Sequence, residues 1–97
     1  MHIGTARLTL RLPGNDSLKG KRQVSRSLIT RLRQKFNLSV AEVGAIDRHQ
    51  SLVIGMTCVS KDASYAADLI DAAVRFVEGQ HLDFELVDVE RDLLDGD

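Results

Sequence analysis

The chain has 97 residues, 43% of them hydrophobic and 28% charged, and a formal net charge of −1. Those figures describe one soluble globular domain, too short to hold a second and small enough that self-association would help to cover its core. A single cysteine, Cys58, excludes an internal disulfide and any CxxC metal or redox site, and the absence of a secretory segment or of a run of about 18 apolar residues makes the expected location cytoplasmic.

The near-neutral total hides an asymmetry. Residues 1–41 sum to +8 and residues 42–97 to −9. A split of this kind marks either a face for nucleic acid or two halves that attract each other.

In chain order, residues 2–12 alternate. Ala6, Leu8, Leu10 and Leu12 fall to one side, and Thr5, Arg7, Thr9 and Arg11 to the other, which predicts a half-buried strand. Pro13, Gly14, Asn15 and Asp16 predict a turn, with Asp16 or Ser17 capping a helix over residues 17–36. Val24, Leu28, Leu32 and Phe36, with Ile29 beside them, form its apolar stripe. No Asp or Glu occurs from Ser17 through Ala41, whereas the helix carries Lys19, Lys21, Arg22, Arg26, Arg31, Arg33 and Lys35. At about 100° per residue, Lys19, Arg22, Arg26 and Arg33 share an arc of roughly 60°. Arg31 and Lys35 flank the stripe on its other side, and Lys21, on the apolar side, is expected to snorkel out past the sheet end. Like charges four residues apart cost roughly 0.2–0.5 kcal/mol per pair, so a negative neighbour is expected beside this helix. Asn37 is expected to end it in the left-handed conformation.

Residues 38–46 predict a second strand and Asp47-Arg48-His49-Gln50 a polar hairpin loop. Residues 51–60 are apolar on both faces (Leu52, Ile54, Met56 and Cys58; Val53 and Val59), which suits a central strand covered on each side. Ser60 or Asp62 caps a second helix over 63–78, with Ala66, Leu69, Ile70, Ala73, Phe76 and Val77 inward, Asp68, Asp71 and Glu78 outward, and Gly79 as its stop. Residues 82–91 read as a charged edge strand that closes a single domain over 1–91, and 92–97 as a frayed acidic tail. The order β-α-β-β-α-β is the split-βαβ motif of an α+β, ferredoxin-like sandwich: a four-stranded antiparallel sheet, strands 1 and 3 central, both helices on one face. The half-apolar open face predicts a homodimer.

The helix supplies the first candidate site. Lys19, Arg22, Arg26 and Arg33, with Lys21 at the end, are spaced to neutralise backbone phosphates beside the positive end of the helix dipole; the competing reading is a solvated helix face, partly neutralised by the acidic second helix alongside. Base stacking of the kind seen on RNA-recognition sheets is not expected, because Phe36, Tyr65, Phe76 and Phe84 all lie outside strands 1 and 3. Gly14 and Gly20-Lys21 imitate a phosphate loop, but five residues separate the glycines where four are required and Arg22 replaces the magnesium-binding hydroxyl. Asp47, Arg48, His49 and Gln50 are a candidate partner-contact loop, or a turn shaped by Asp47. Arg7 and Arg11 are expected to pair with Glu85 or with a dimer mate. His2, His49 and His81 have no ligand spacing, so neither a metal nor a cofactor is expected.

Ser17-Leu18-Lys19-Gly20-Lys21-Arg22, the segment 36–43, the loop 47–50, the strand 54–60 and residues 74–78 together resemble the YlxP-like family of small bacterial domains of unknown function, over nearly the whole chain. The resemblance implies a ferredoxin-like dimer, and the family's habitual gene neighbours in translation initiation and ribosome maturation imply association with RNA or the ribosome. The sequence departs from the family at Gly20, where Glu is usual. Ser17-x-x-Glu would be a capping box, and Gly in its place costs roughly 1 kcal/mol relative to Ala and leaves the helix start more basic. The expectation is a non-enzymatic domain that meets RNA through the basic helix; the alternative is a homodimeric protein-interaction or regulatory module that binds no nucleic acid.

Overall fold

Alternating apolar side chains build β1 (His2–Arg11), and the remaining elements follow in the expected order: α1 (Leu18–Lys35), β2 (Ser39–Gly44), β3 (Ser51–Ser60), α2 (Ala63–Glu78) and β4 (Glu85–Asp95). The computed structural model describes residues 1–80 and 82–96. The sheet is antiparallel with strand order β2-β3-β1-β4, so β1 and β3 are central. The fold is ferredoxin-like, as the motif predicts.

Register builds the core. Leu8 faces Ile54 across the β1–β3 ladder, Leu10 faces Leu52, and Ala6 faces Met56. All six are buried, and Leu28 and Leu32 of α1 and Ile70, Ala73, Val74 and Val77 of α2 close over them. Each fully buried Leu, Ile or Val contributes about 1.5–3 kcal/mol. Both helices start on side-chain caps. Ser17 Oγ accepts the Gly20 N–H at 3.0 Å, and Asp62 Oδ1 accepts those of Ser64 and Tyr65 at 2.9 and 3.4 Å.

Four local expectations are corrected. Asn37 does not adopt a left-handed cap. The helix ends at Phe36 in extended backbone (φ −127°, ψ 144°), whose ring packs edge-on against Phe76 with centroids 5.6 Å apart; among described non-glycine residues only Ala45 has positive φ. β2 stops at Gly44, two residues early, because the chain turns away at Ala45. Val59 is 66% exposed although Val53, on the same face of β3, is 6% exposed, so that face is covered at the Val53 end and open at the Val59 end. Finally, the acidic segment is strand rather than frayed tail through Asp95. β1 begins at His2, and the backbone groups on its outer side require partners. Residues 92–95 supply them, with Thr5 opposite Asp92, Ile3 opposite Leu94 and His2 opposite Asp95.

Gly4 lies where α2 crosses β1. A Cβ there would stand 2.9 Å from Ile70 Cγ1 and 3.0 Å from the Ala66 carbonyl oxygen. Gly4→Ala is therefore expected to lower the unfolding free energy by about 1–3 kcal/mol through overpacking, read as an earlier urea midpoint at unchanged m-value.

Candidate nucleic-acid interface

The buried line of α1 is Lys21, Ser25, Leu28 and Leu32, at spacings of four, three and four. Lys21 and Ser25 thus lie within the stripe predicted from apolar residues alone, and Val24, Ile29 and Phe36 are only half-buried at its borders. Lys21 does not snorkel outward. It is 2% exposed, and its ammonium sits 3.1 Å from Glu42 Oε2 on β2 while donating to the carbonyl oxygens of Ala45, Ile46 (3.2 Å) and Arg48 (2.9 Å). The physical reason is local. The first turn of α1 overhangs the β2–β3 loop, whose inward carbonyls offer a cation more than any solvent path does. Lys21 therefore leaves the set of groups available to a partner.

Lys19, Arg22, Arg26 and Arg33 are all exposed. Arg33 donates to the Val40 carbonyl on β2 at 2.8 Å, which places their shared arc on the β2 side of the helix. Arg31 and Lys35 point the other way, toward α2. Arg31 donates to Gln80 Oε1 at 2.8 Å, and the Lys35 ammonium lies 5.1 Å from the Phe76 ring centroid. Both partners are uncharged. Among the described residues, the ion pairs within 4.0 Å are His2–Asp95, Arg11–Glu85, Lys21–Glu42 and Arg91–Asp71, so Lys21 alone of the α1 cations meets a carboxylate. The acidic second helix does not neutralise the arc. Its Asp71 turns to Arg91 on β4 at 3.0 Å, and Glu78, seven residues on, shares that side.

The second candidate, the loop at 47–50, adjoins the first. Lys21 holds the Arg48 carbonyl, and Asn15 Nδ2 donates to the carbonyls of both Ser17 and His49. Asp47, Arg48, His49 and Gln50 keep exposed side chains. The imitation of a phosphate loop is not supported. The groove of about 560 Å³ beside Pro13, Gly14 and Gly20 has Asp83 and Glu85 on its wall, and Lys21 is turned out of it. Arg11 pairs with Glu85 at 2.7 Å, as the strand order predicts, while Arg7 reaches over β3 to Gly44. His2 pairs with Asp95, His49 lies on the loop, and His81 lies outside the described residues. Among the described residues no group of three His, Cys, Asp or Glu side chains converges on a metal-sized site, and no helix is long and apolar enough to cross a membrane.

Sequence reasoning missed Glu42, the carboxylate that makes the Lys21 site possible. The available signal was its place in the register: Glu42 stands opposite Ile54 and so must face the helices.

Comparison with known proteins finds a family model and a relative that resemble this chain. A family model described as "Protein of unknown function (DUF503)" matches residues 3–91. The "Uncharacterized protein YlxP" of Bacillus subtilis (strain 168) is 30% identical over 76 residues, covering 78% of this chain and 83% of that protein.

Removing one partner of a buried pair strands the other. Lys21→Met is expected to cost about 3 kcal/mol of stability, and Glu42→Leu added to it to restore most of the loss, measured by urea unfolding of the single and double variants.

Proposed function

The chain belongs to the DUF503 family, and we propose that it is a non-enzymatic domain that binds RNA, free or ribosomal, through the phosphate backbone along α1. What carries the reading is the row Lys19, Arg22, Arg26 and Arg33, four exposed cations with no carboxylate within 4.0 Å among the described residues. Self-neutralisation was the competing account of a helix with this composition, and where α2 and its C-terminal end meet α1 they offer Phe76 and Gln80 in place of its acids. Phosphate contact fits such a row better than base recognition does. Phe36 and Phe76 are spent on each other, and the exposed ring of Tyr65 belongs to α2.

A second feature supports self-association through the open sheet face. Ile3 stands opposite Val59 on β3 and Leu94 on β4, and these two neighbours are 66% and 47% exposed. A cross-strand apolar row of this kind gains by meeting its own copy. Sedimentation should give a mass that falls to that of the monomer in Val59→Asp and Leu94→Asp; a monomer at every concentration of the unaltered chain would refute it.

For the RNA reading, four phosphate contacts predict an affinity that drops about a hundredfold between 50 and 200 mM salt. Arg22→Glu with Arg26→Glu should abolish binding while changing the unfolding free energy by no more than about 0.5 kcal/mol. RNA affinity that ignores salt, or survives this double reversal, counts against the proposal.

A further inference from the structure

The loop between β2 and β3 is unusual in how its backbone is spent. The carbonyl oxygens of Ala45, Ile46 and Arg48 accept from the Lys21 ammonium, that of His49 from Asn15 Nδ2, and that of Gln50 from the Leu12 N–H at 2.9 Å. The Arg48 N–H is tied back to the Ala45 carbonyl at 3.0 Å. Five acceptors therefore face inward, toward α1 and the end of β1, and the side chains of residues 47–50 are forced out. Ala45 adopts left-handed backbone (φ 55°), a conformation costing an alanine roughly 1 kcal/mol, which the ammonium contact offsets. A six-residue loop without regular structure is thereby held as firmly as an element, against the first turn of the basic helix.

From this geometry we propose that the loop is the second half of the phosphate-contacting surface, with Arg48 as its contacting cation and Lys21 as the positioning residue that joins it to α1. The inference rests on the RNA reading above and extends it to a residue outside the helix. Arg48 suits the role on three counts. Its side chain is exposed, no carboxylate lies within 4.0 Å of it among the described residues, and its backbone is fixed at both its N–H and its carbonyl. Holding a cation in place before the partner arrives reduces the ordering cost at binding. Asp47, the adjacent acid, also points outward and would meet the same phosphates with the wrong sign. The loop thus makes two opposite predictions at neighbouring positions, which a merely structural role would not.

The test uses the full chain and a fluorescently labelled RNA duplex, with affinity read across a salt series. Arg48→Ala should weaken binding and reduce the slope of log affinity against log salt by about 1. Asp47→Asn should tighten binding about two- to threefold. Lys21→Met combined with Glu42→Leu keeps the pair balanced while releasing the carbonyls; it should lose the same unit of slope, and Arg48→Ala added to it should change nothing further. The loop assignment is overturned if Arg48→Ala leaves the slope intact while Arg22→Ala lowers it. The positioning role is overturned if Arg48→Ala still removes its full unit of slope in the Lys21→Met, Glu42→Leu background. Asp47→Asn and Arg48→Ala are surface changes, so they decide the loop's part even if the paired core variant does not fold. Absence of salt-sensitive binding by the unaltered chain is a distinct result, and overturns the RNA reading together with this one.

Discussion

The arrangement depends on one buried ammonium. Bringing Lys21 out of water costs several kcal/mol, and the site repays it only because a carboxylate and three carbonyl oxygens converge on it. That requirement fixes more than the lysine. It sets the rotation of α1 about its own axis, since Lys21 must point at the β2–β3 loop, and it sets the path of the loop, since the carbonyls must point at Lys21. Once the helix is locked in that rotation, Arg33 lies over Val40 and the four-cation arc faces the β2 edge. A rotation of one residue, about 100°, would carry the arc elsewhere. The outward chemistry of the helix is thus a consequence of an inward contact.

The same geometry explains why a chain with halves of +8 and −9 fails to cancel itself. The cations of α1 lie mainly toward β2, at one edge of the sheet. Asp71 and Glu78 of α2 lie toward β4, and β4 itself adds Glu85, Asp88, Glu90, Asp92 and Asp95 at the opposite edge. Where α1 faces α2, its cations meet uncharged partners: the amide of Gln80 for Arg31 and the Phe76 ring for Lys35, beside the Phe36–Phe76 pair. The strand order puts β2 and β4 as far apart as four strands allow. Charge is sorted by the topology rather than by pairing.

Much of this was legible in the chain. Strand alternation, the caps Ser17 and Asp62 and the motif order gave the sheet, its central strands and α2 to the residue, because each rests on a local periodicity or a local hydrogen bond. The failures share a cause. Lys21 and Ser25 continue the buried line of α1, but an apolar count cannot see them, so two buried positions inside the stripe were missed and Lys21 was assigned to solvent. Whether a lysine is buried depends on acceptors 21–27 residues away in sequence, which no local pattern encodes. The C-terminal segment failed in the same way. Asp92 to Asp95 look frayed by composition, yet β1 was already long enough to demand a partner for His2 to Thr5, and reading the ladder as a whole would have extended β4. Arg11–Glu85, by contrast, could be anticipated, because strand order alone brings it together.

The sorting of charge also bears on how a nearly neutral protein can meet a polyanion. The molecule measures 44 × 22 × 18 Å. At physiological ionic strength the Debye length is about 8 Å, so charges across the shorter dimensions are two or more screening lengths apart. On the proposed reading, a phosphate backbone lying along α1 would meet Lys19, Arg22, Arg26 and Arg33 at close range, while the acids of β4 at the opposite edge would be largely screened from it. The net charge of −1 is therefore the wrong quantity to weigh. For a polyanionic partner the quantity that would govern approach is the separation between the two charged edges, which would present the basic edge and turn the acidic one away. In dilute salt, where the Debye length reaches about 30 Å, the acidic edge is felt again and opposes approach. Selectivity for one orientation then follows from strand order, and strand order from the β-α-β-β-α-β connection rule with which the chain began.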